Sequence, residues 1–279
     1  MKIEYRETTK DLQTRIDIHQ RFGSRDIDAW MLDLLRPPSG SHILDVACGS
    51  GKQLRAFDAY LQGEAHLTGG DISEELLAQA RLLNQHSGGR WTIEALDFNR
   101  PFSHEDGSFA LTSCCFAIYY ATQAAFTIGE MHRVLGPGGR LFTTGPLPEN
   151  KRLFYEVIQE ATGKVIPPMP GSSRYGSEIL EAIRSRFDSV QVHRFENPLR
   201  FEALQPFLDY TRASLAEDRK LWTGLFQGGE EFEAVMDKIA VVAGKRLAAR
   251  GELVMTKVVG GFIGQKGGGP KTSGQGRME

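Results

Sequence analysis

Residues 42–54, His42-Ile43-Leu44-Asp45-Val46-Ala47-Cys48-Gly49-Ser50-Gly51-Lys52-Gln53-Leu54, constrain the fold more than any other part of the chain. Ile43, Leu44, Val46 and Ala47 form a short apolar run suited to a parallel strand covered on both faces. Gly49 and Gly51 follow at once, where the chain must turn into a helix and where backbone N–H groups can approach a ligand closely. Spacing sorts the nucleotide-binding readings of such a turn. A phosphate-gripping loop needs a glycine five residues before Gly51-Lys52 and Ser or Thr after it, but the chain has Val46 and Gln53. A dinucleotide fingerprint needs a third glycine, and Leu54 stands in its place. What remains is a strand carrying Asp45 that runs into Gly-x-Gly.

A second strand, His66-Leu67-Thr68-Gly69-Gly70-Asp71-Ile72, ends in a carboxylate. Asp71 follows the glycine turn by about 20 residues, the separation at which a βαβ unit sets an acid at the neighbouring strand tip to accept from ribose hydroxyls. Ser73 fits the N-cap of the next helix, with Glu74 and Glu75 in its first turn, so Asp71 is not needed as a cap. Trp91 to Phe98 reads as a third strand ending at Asp97, for which the alternative is a turn before Pro101. Phe109 to Cys115 reads as a fourth. Ala124, Ile128, Met131 and Leu135 then stripe a helix, Gly136-Pro137-Gly138-Gly139 reads as its stop, and Arg140 to Thr144 as a fifth strand.

Taken together these segments resemble the class I S-adenosylmethionine-dependent methyltransferases of the bacterial small-molecule type. Asp45, Ala47, Gly49 and Gly51 fill the places of that family's first motif, and Glu130 to Gly139 is similar to its E-x-x-R-V-L-x-P-G-G segment. The likeness covers about residues 42 to 145 well. It implies an α/β, Rossmann-like, doubly wound and mostly parallel seven-stranded sheet with a helical cap or insertion. It implies S-adenosylmethionine as cofactor, released as S-adenosylhomocysteine, held by Asp45, Ala47, Cys48, Gly49 and Gly51 in the first motif. Asp71 and Ile72, the acid-hydrophobe pair Asp97-Phe98, and Cys115-Phe116 after the fourth strand complete that set, with Arg15 from an N-terminal helix. Phe109 to Tyr120 is similar to the fourth strand and following loop, but Ala110 replaces the usual acid and Tyr119-Tyr120 a histidine pair. The Asn/Asp-Pro-Pro-Tyr sequence that grips an exocyclic amine is missing, which disfavours nucleobase amino methylation.

The rest of the chain frames this core. Leu12, Ile16, His19 and Phe22, then Ile27, Trp30, Leu32, Leu34 and Leu35, mark two helices broken at Gly23-Ser24. Arg15 and His19 sit one turn apart and share a face, which is a solvated surface or a face closing over the cofactor. Val190 to His193 reads as a sixth strand and Leu253 to Ile263 as the last. The expected organisation is N-terminal helices over 1–41, a core over 42–200, a helical cap over 201–252, the last strand over 253–264 and a disordered tail over 265–279.

Composition narrows the function. With 33 Lys and Arg against 35 Asp and Glu there is no basic excess to draw nucleic acid. The 3 cysteines offer neither a disulfide framework nor a Cys-x-x-Cys metal pair, so no metal and a reducing, cytoplasmic setting are expected. No apolar run approaches a membrane span. The expected function is methyl transfer to an O, N or C nucleophile of a small-molecule metabolite or natural product by a monomer or homodimer. The alternatives are an RNA or protein methyltransferase, which predicts a basic face beside the cap, and a non-catalytic cofactor-binding protein, which predicts a damaged glycine turn. Transfer from a sulfonium needs alignment more than acid, and a base only for a protonated nucleophile. The catalytic candidates are Tyr119, Tyr120 and His19, the last with a reference pKa near 6.5 and hence the better base.

Overall fold

The computed structural model describes residues 9–166, 169–217 and 232–268. Two helices, α1 (Thr9–Phe22) and α2 (Ile27–Leu35), precede β1 (His42–Val46). Then come α3 (Lys52–Tyr60), β2 (His66–Asp71), α4 (Glu74–His86), β3 (Thr92–Ala95), β4 (Phe109–Cys115), α5 (Ala124–Arg133) and β5 (Leu135–Pro146). The remainder is α6 (Arg152–Thr162), α7 (Pro170–Arg174), a π-helical turn Tyr175–Ile179, α8 (Leu180–Arg184), β6 (Ser189–Phe201), α9 (Leu204–Glu217), α10 (Phe232–Arg250) and β7 (Leu253–Gln265).

The strands form one seven-stranded sheet in the order β3-β2-β1-β4-β5-β7-β6. β1 pairs in parallel with both β2 and β4, with Asp45 opposite Gly69 on one side and Ser113 on the other. The strand order therefore reverses at β1. In open parallel sheets such a reversal leaves a crevice beyond the carboxyl ends of the strands, which is where ligands sit.

The chain divides into two compact units, Met1–Ile27 with Pro146–Gly176 and Arg194–Gly260, and Asp28–Gly145 with Ser177–His193 and Gly261–Glu279. In the second unit the core is built from both faces of the sheet: Ile43, Leu44 and Val46 of β1, Leu54 and Phe57 of α3, Leu77 of α4, Ile128 and Met131 of α5 and Leu141 and Phe142 of β5 are all buried. In the first unit α1 packs on α9 and α6 on α10. One apolar cluster joins them, including Ile18, Phe154, Val157, Leu199, Phe207, Tyr210, Met236 and Ile239. On α1 it is Ile18 that is buried, where the expected stripe has Ile16.

Several boundaries depart from expectation for physical reasons. Gly136-Pro137-Gly138-Gly139 does not end a helix. The helix has already stopped at Arg133, and the run lies inside β5, whose register against β4 shifts between Phe109 and Leu111. β5 advances five residues there while β4 advances two, and Gly138, at φ 75°, lies in the extra length. β3 is shorter than expected and releases Asp97 into a turn, while β6 runs through 13 residues instead of four. The sequence with Pro167, Pro168 and Pro170 reads as an irregular loop over 163–176, but α7 begins at Pro170, a residue tolerated in a first helical turn. The helices expected as an insertion over 201–252 are part of a larger unit assembled from three chain segments, and residues 218–231 lie outside the described residues. The last strand continues to Gln265, and Lys266 and Gly267 are held by hydrogen bonds to Leu135 O and Asp188; the tail expected to be disordered lies, from residue 269, outside the described residues.

Asn197 of β6, buried, fixes the link between α1 and α2: its Oδ1 accepts from the backbone N–H of Ser24 at 3.0 Å and Arg25 at 3.2 Å, and its Nδ2 donates to Arg25 O at 3.0 Å. Each buried group left without a partner costs about 1–3 kcal/mol. Asn197→Ala is expected to lower unfolding free energy by about 2 kcal/mol or more in urea titration; a loss below about 0.5 kcal/mol, the ordinary surface value, would show that the link holds itself.

Candidate active site

The turn after β1 is built by three consecutive alternations into left-handed backbone, Ala47 at φ 57°, Gly49 at 55° and Gly51 at 84°. Gly51 is also the N-cap of α3, and a Cβ there would press on Ala80 at 3.3 Å, so position 51 needs glycine for both conformation and packing. At Gly49 a Cβ would meet nothing within 4 Å, which leaves open space directly over the turn. Cys48 N donates to Gly70 O and Gly51 N to Cys48 O, both at 3.0 Å, so the turn is tied to the end of β2 and to itself.

Asp71 fixes the same turn from the other side. Its carboxylate, only 8% exposed, accepts Gly49 N–H on Oδ2 and Ser73 N–H on Oδ1, each at 2.9 Å. A carboxylate has about four lone-pair sites, so acceptor capacity remains. Ser73 caps α4, accepting from Leu76 N, as expected. Ile72, next to Asp71, is 74% exposed, a large apolar side chain held in solvent at the strand tip. Asp97 accepts from the backbone and side-chain amides of Asn99 at 2.9 and 3.2 Å, so it forms the turn that was the alternative reading and keeps further lone pairs. Phe98 follows, half-buried, its carbonyl accepting from Thr127 of α5.

Beneath the turn Asp45 is buried and accepts from the Ser113 hydroxyl at 2.6 Å. Burial, more than that hydrogen bond offsets, and the nearby negative charge of Asp71 push its carboxyl up to about 7. Ser113 was not anticipated, because only the β1–β4 register that sets it opposite Asp45 reveals it. Burial also raises the thiols of Cys48, Cys114 and Cys115 well above the ordinary range, so none is a ready thiolate. After β4, Phe116 takes φ 58° with its N–H donating to Thr144 O at 2.9 Å, and Tyr119 and Tyr120 stand half-buried on a 3₁₀ turn with ring centroids 4.8 Å apart.

Asp45, Ala47, Cys48, Gly49, Gly51, Asp71, Ile72, Asp97, Phe98, Cys115, Phe116, Tyr119 and Tyr120 all belong to the second unit, on its strands or the loops that follow them. Arg15 and His19 belong to the first. His19 is partly buried there, its ring edge-on to Tyr210 at 5.6 Å, and desolvation with the charges of Lys257, Arg15 and Lys151 drives its pKa down to about 2. The expected titration near neutral pH is thus corrected: His19 is a neutral imidazole across the physiological range. Among the described residues no cluster of three or more His, Cys, Asp or Glu could hold a metal ion.

A glycine turn with open space above it, an acid at the second strand tip, a second acid after the third strand and a reversal of strand order define the nucleoside-binding end of a class I methyltransferase fold, whose cofactor is S-adenosylmethionine. Residues 43–139 match the family model described as a methyltransferase domain. The chain is 29% identical over 123 residues to the ubiquinone/menaquinone biosynthesis C-methyltransferase UbiE of Desulfotalea psychrophila, covering 44% of this chain and 48% of that one. It is 28% identical over 120 residues to the ubiquinone biosynthesis O-methyltransferase of Pseudomonas aeruginosa, covering 43% and 50%. The chain spans about half the length of the curated relatives it matches. A solved candidate methyltransferase from Bacillus halodurans superposes with a TM-score of 0.57 at 18% identity, covering 86% of this chain and 99% of that one, a likeness of fold.

Two measurements follow from the acids. A hydrogen bond to a charged acceptor is worth about 1.5–3 kcal/mol, so Asp71→Ala should weaken S-adenosylmethionine by about tenfold or more in calorimetry; unchanged affinity would remove Asp71 from the site. For Asp45 the folded chain keeps a proton that the unfolded chain releases above the ordinary carboxyl value of 3.8. Stability therefore falls as pH rises from that value to about 7. Asp45→Asn should flatten that slope in denaturation series across pH, and an identical slope in the variant would place the titration elsewhere.

Proposed function

We propose that the chain transfers a methyl group from S-adenosylmethionine to an O, N or C nucleophile of a small-molecule metabolite. The observation that carries this is the open space over Gly49 beside the Asp71 carboxylate, at the point where the strand order reverses. The matched relatives support the acceptor class, since one is named a C-methyltransferase and the other an O-methyltransferase, both of quinone biosynthesis. The absence of any helix among the described residues long and apolar enough to cross a membrane is compatible with it.

In this reading Asp71 takes the ribose hydroxyls, Ile72 and Phe98 flank the adenine ring, and Asp97 accepts from its exocyclic amine. The turn Ala47 to Gly51 admits the cofactor because Gly49 presents no side chain. When bound, the cofactor supplies an electrophilic methyl on a positive sulfur. The chain's own work is then alignment and exclusion of water, with Tyr119 and Tyr120 shaping the acceptor side. A general base works best with a pKa near the operating pH, and His19 lies far below it, so His19 is not the base in this reading.

Release of S-adenosylhomocysteine across a panel of phenolic, amine and quinone-type metabolites, with product masses, tests the activity. At least one acceptor should gain the mass of one methylene, and a panel with no turnover despite cofactor binding would favour a binding protein. With that acceptor, His19→Ala should leave the shape of the pH–rate profile between pH 5 and 8 unchanged. Loss of a limb near pH 6–7 in the variant would restore His19 as the titrating base.

A further inference from the structure

The irregular start of β5 borders a hollow at the amino ends of the strands. Between the pairs Phe109 with Leu135 and Leu111 with Arg140, β5 has three residues more than β4. That extra length is tied down by the residues around the end of β7: Gly138 N–H donates to Gly267 O at 3.1 Å, and Lys266 N–H to Gly139 O at 2.9 Å. It forms one wall of a cavity of about 430 Å³, whose other walls are the turns before β1 and β4 and the first residues of those strands. Ligand sites occupy about 300–1,000 Å³, so the cavity has the size of one. A Cβ added at Gly40 or at Gly138, both of which line it, would meet nothing within 4 Å.

Arg140 is the one Asp, Glu, Lys or Arg among the lining residues. It stands opposite Leu111 of β4, which stands opposite Ile43 of β1, so its neighbours across the sheet are buried and apolar. Its side chain is half-buried and makes no hydrogen bond or ion pair among the described residues. Burial draws the guanidinium below its ordinary value, and no charged neighbour acts on it. The acid nearest in sequence to the lining turn at Gly107, Asp106, is taken by Arg133 at 2.8 Å. Five N–H donors on a partly desolvated cation thus border a cavity that brings no acceptor charge of its own.

We infer that this cavity binds a small monocarboxylic acid, its carboxylate on the Arg140 guanidinium and its apolar body against Pro38, Ala110 and Pro137. The guanidinium fork matches a carboxylate with two parallel hydrogen bonds. One cation balances one negative charge, whereas a phosphate monoester carries up to two and would stay partly uncompensated. Ser108, which also lines the cavity, already donates its hydroxyl proton to Glu105 O and adds no donor. The inference does not rest on the methyl-transfer reading, since the glycine turn lies beyond the opposite end of β1.

The test is calorimetric titration of the full chain with sodium benzoate, sodium octanoate, benzamide and sodium phosphate, at ionic strength held constant with sodium chloride. His42 also lines the cavity, its ring 4.4 Å from that of His66, so the titrations are run at about pH 8, where an ordinary imidazole is neutral. The amide signals of Gly138 and Gly139 in nuclear magnetic resonance give the place. At least one carboxylate should bind saturably at millimolar concentration and shift those signals, while benzamide and phosphate bind about tenfold more weakly or not at all. Arg140→Met, which keeps an apolar stem and removes the charge, should weaken that carboxylate by about tenfold or more. Arg140→Lys, which keeps the charge without the fork, should weaken it by about threefold or more, and it decides if the methionine variant fails to fold. Tighter benzoate assigns an aromatic body to the ligand and tighter octanoate an aliphatic one. No saturable binding of either carboxylate, phosphate or benzamide binding as tightly, equal binding to a folded variant, or shifts at Gly49 and Gly51 in place of Gly138 and Gly139 overturns the inference.

Discussion

One carboxylate holds three parts of the carboxyl end of the sheet in place. Asp71 ends β2, grips the glycine turn of β1 through Gly49 N–H and the start of α4 through Ser73 N–H. Because both partners are backbone, the contact fixes where the main chain runs and not merely where a side chain points. Asp45 lies beneath the turn, buried and bonded to Ser113, and burial with the nearby charge of Asp71 raises its carboxyl above the ordinary carboxylate range.

The parts legible in the sequence are those whose burial leaves a local pattern. β1, β2 and β4 begin at the residues expected, His42, His66 and Phe109, because each is a short apolar run bounded by turn residues. The Gly-Pro-Gly-Gly run misleads because its local chemistry suits a helix stop equally well. Only pairing with β4, which a single chain segment does not display, turns it into an irregular strand. β6 is underestimated for the same reason: Gln191, Arg194, Glu196 and Arg200, among its exposed residues, carry charge or amide groups that no alternation reveals.

The candidate site divides along similar lines. The glycines and the strand-end acids are visible through spacing alone, since a βαβ unit fixes the distance between them. Ser113 is not, because its role depends on register. The spacing of Arg15 and His19 along α1 is equally visible, but the neighbours that decide the protonation of His19 are Lys151 and Lys257, remote in sequence and brought to it by the packing of the first unit. A reference pKa is a property of an isolated residue, and here burial and three cations displace it.

The three-segment make-up of that unit has a consequence for how the chain acquires its structure during synthesis. The first five strands are complete once Pro146 has emerged, whereas α1, made before them, packs on α9, whose first residue is Leu204. At about 5–20 residues per second the ribosome takes on the order of ten to forty seconds to supply that partner. The first five strands can therefore pair before α1 meets its partner, and Ile18 of α1 stays unburied until α9 arrives.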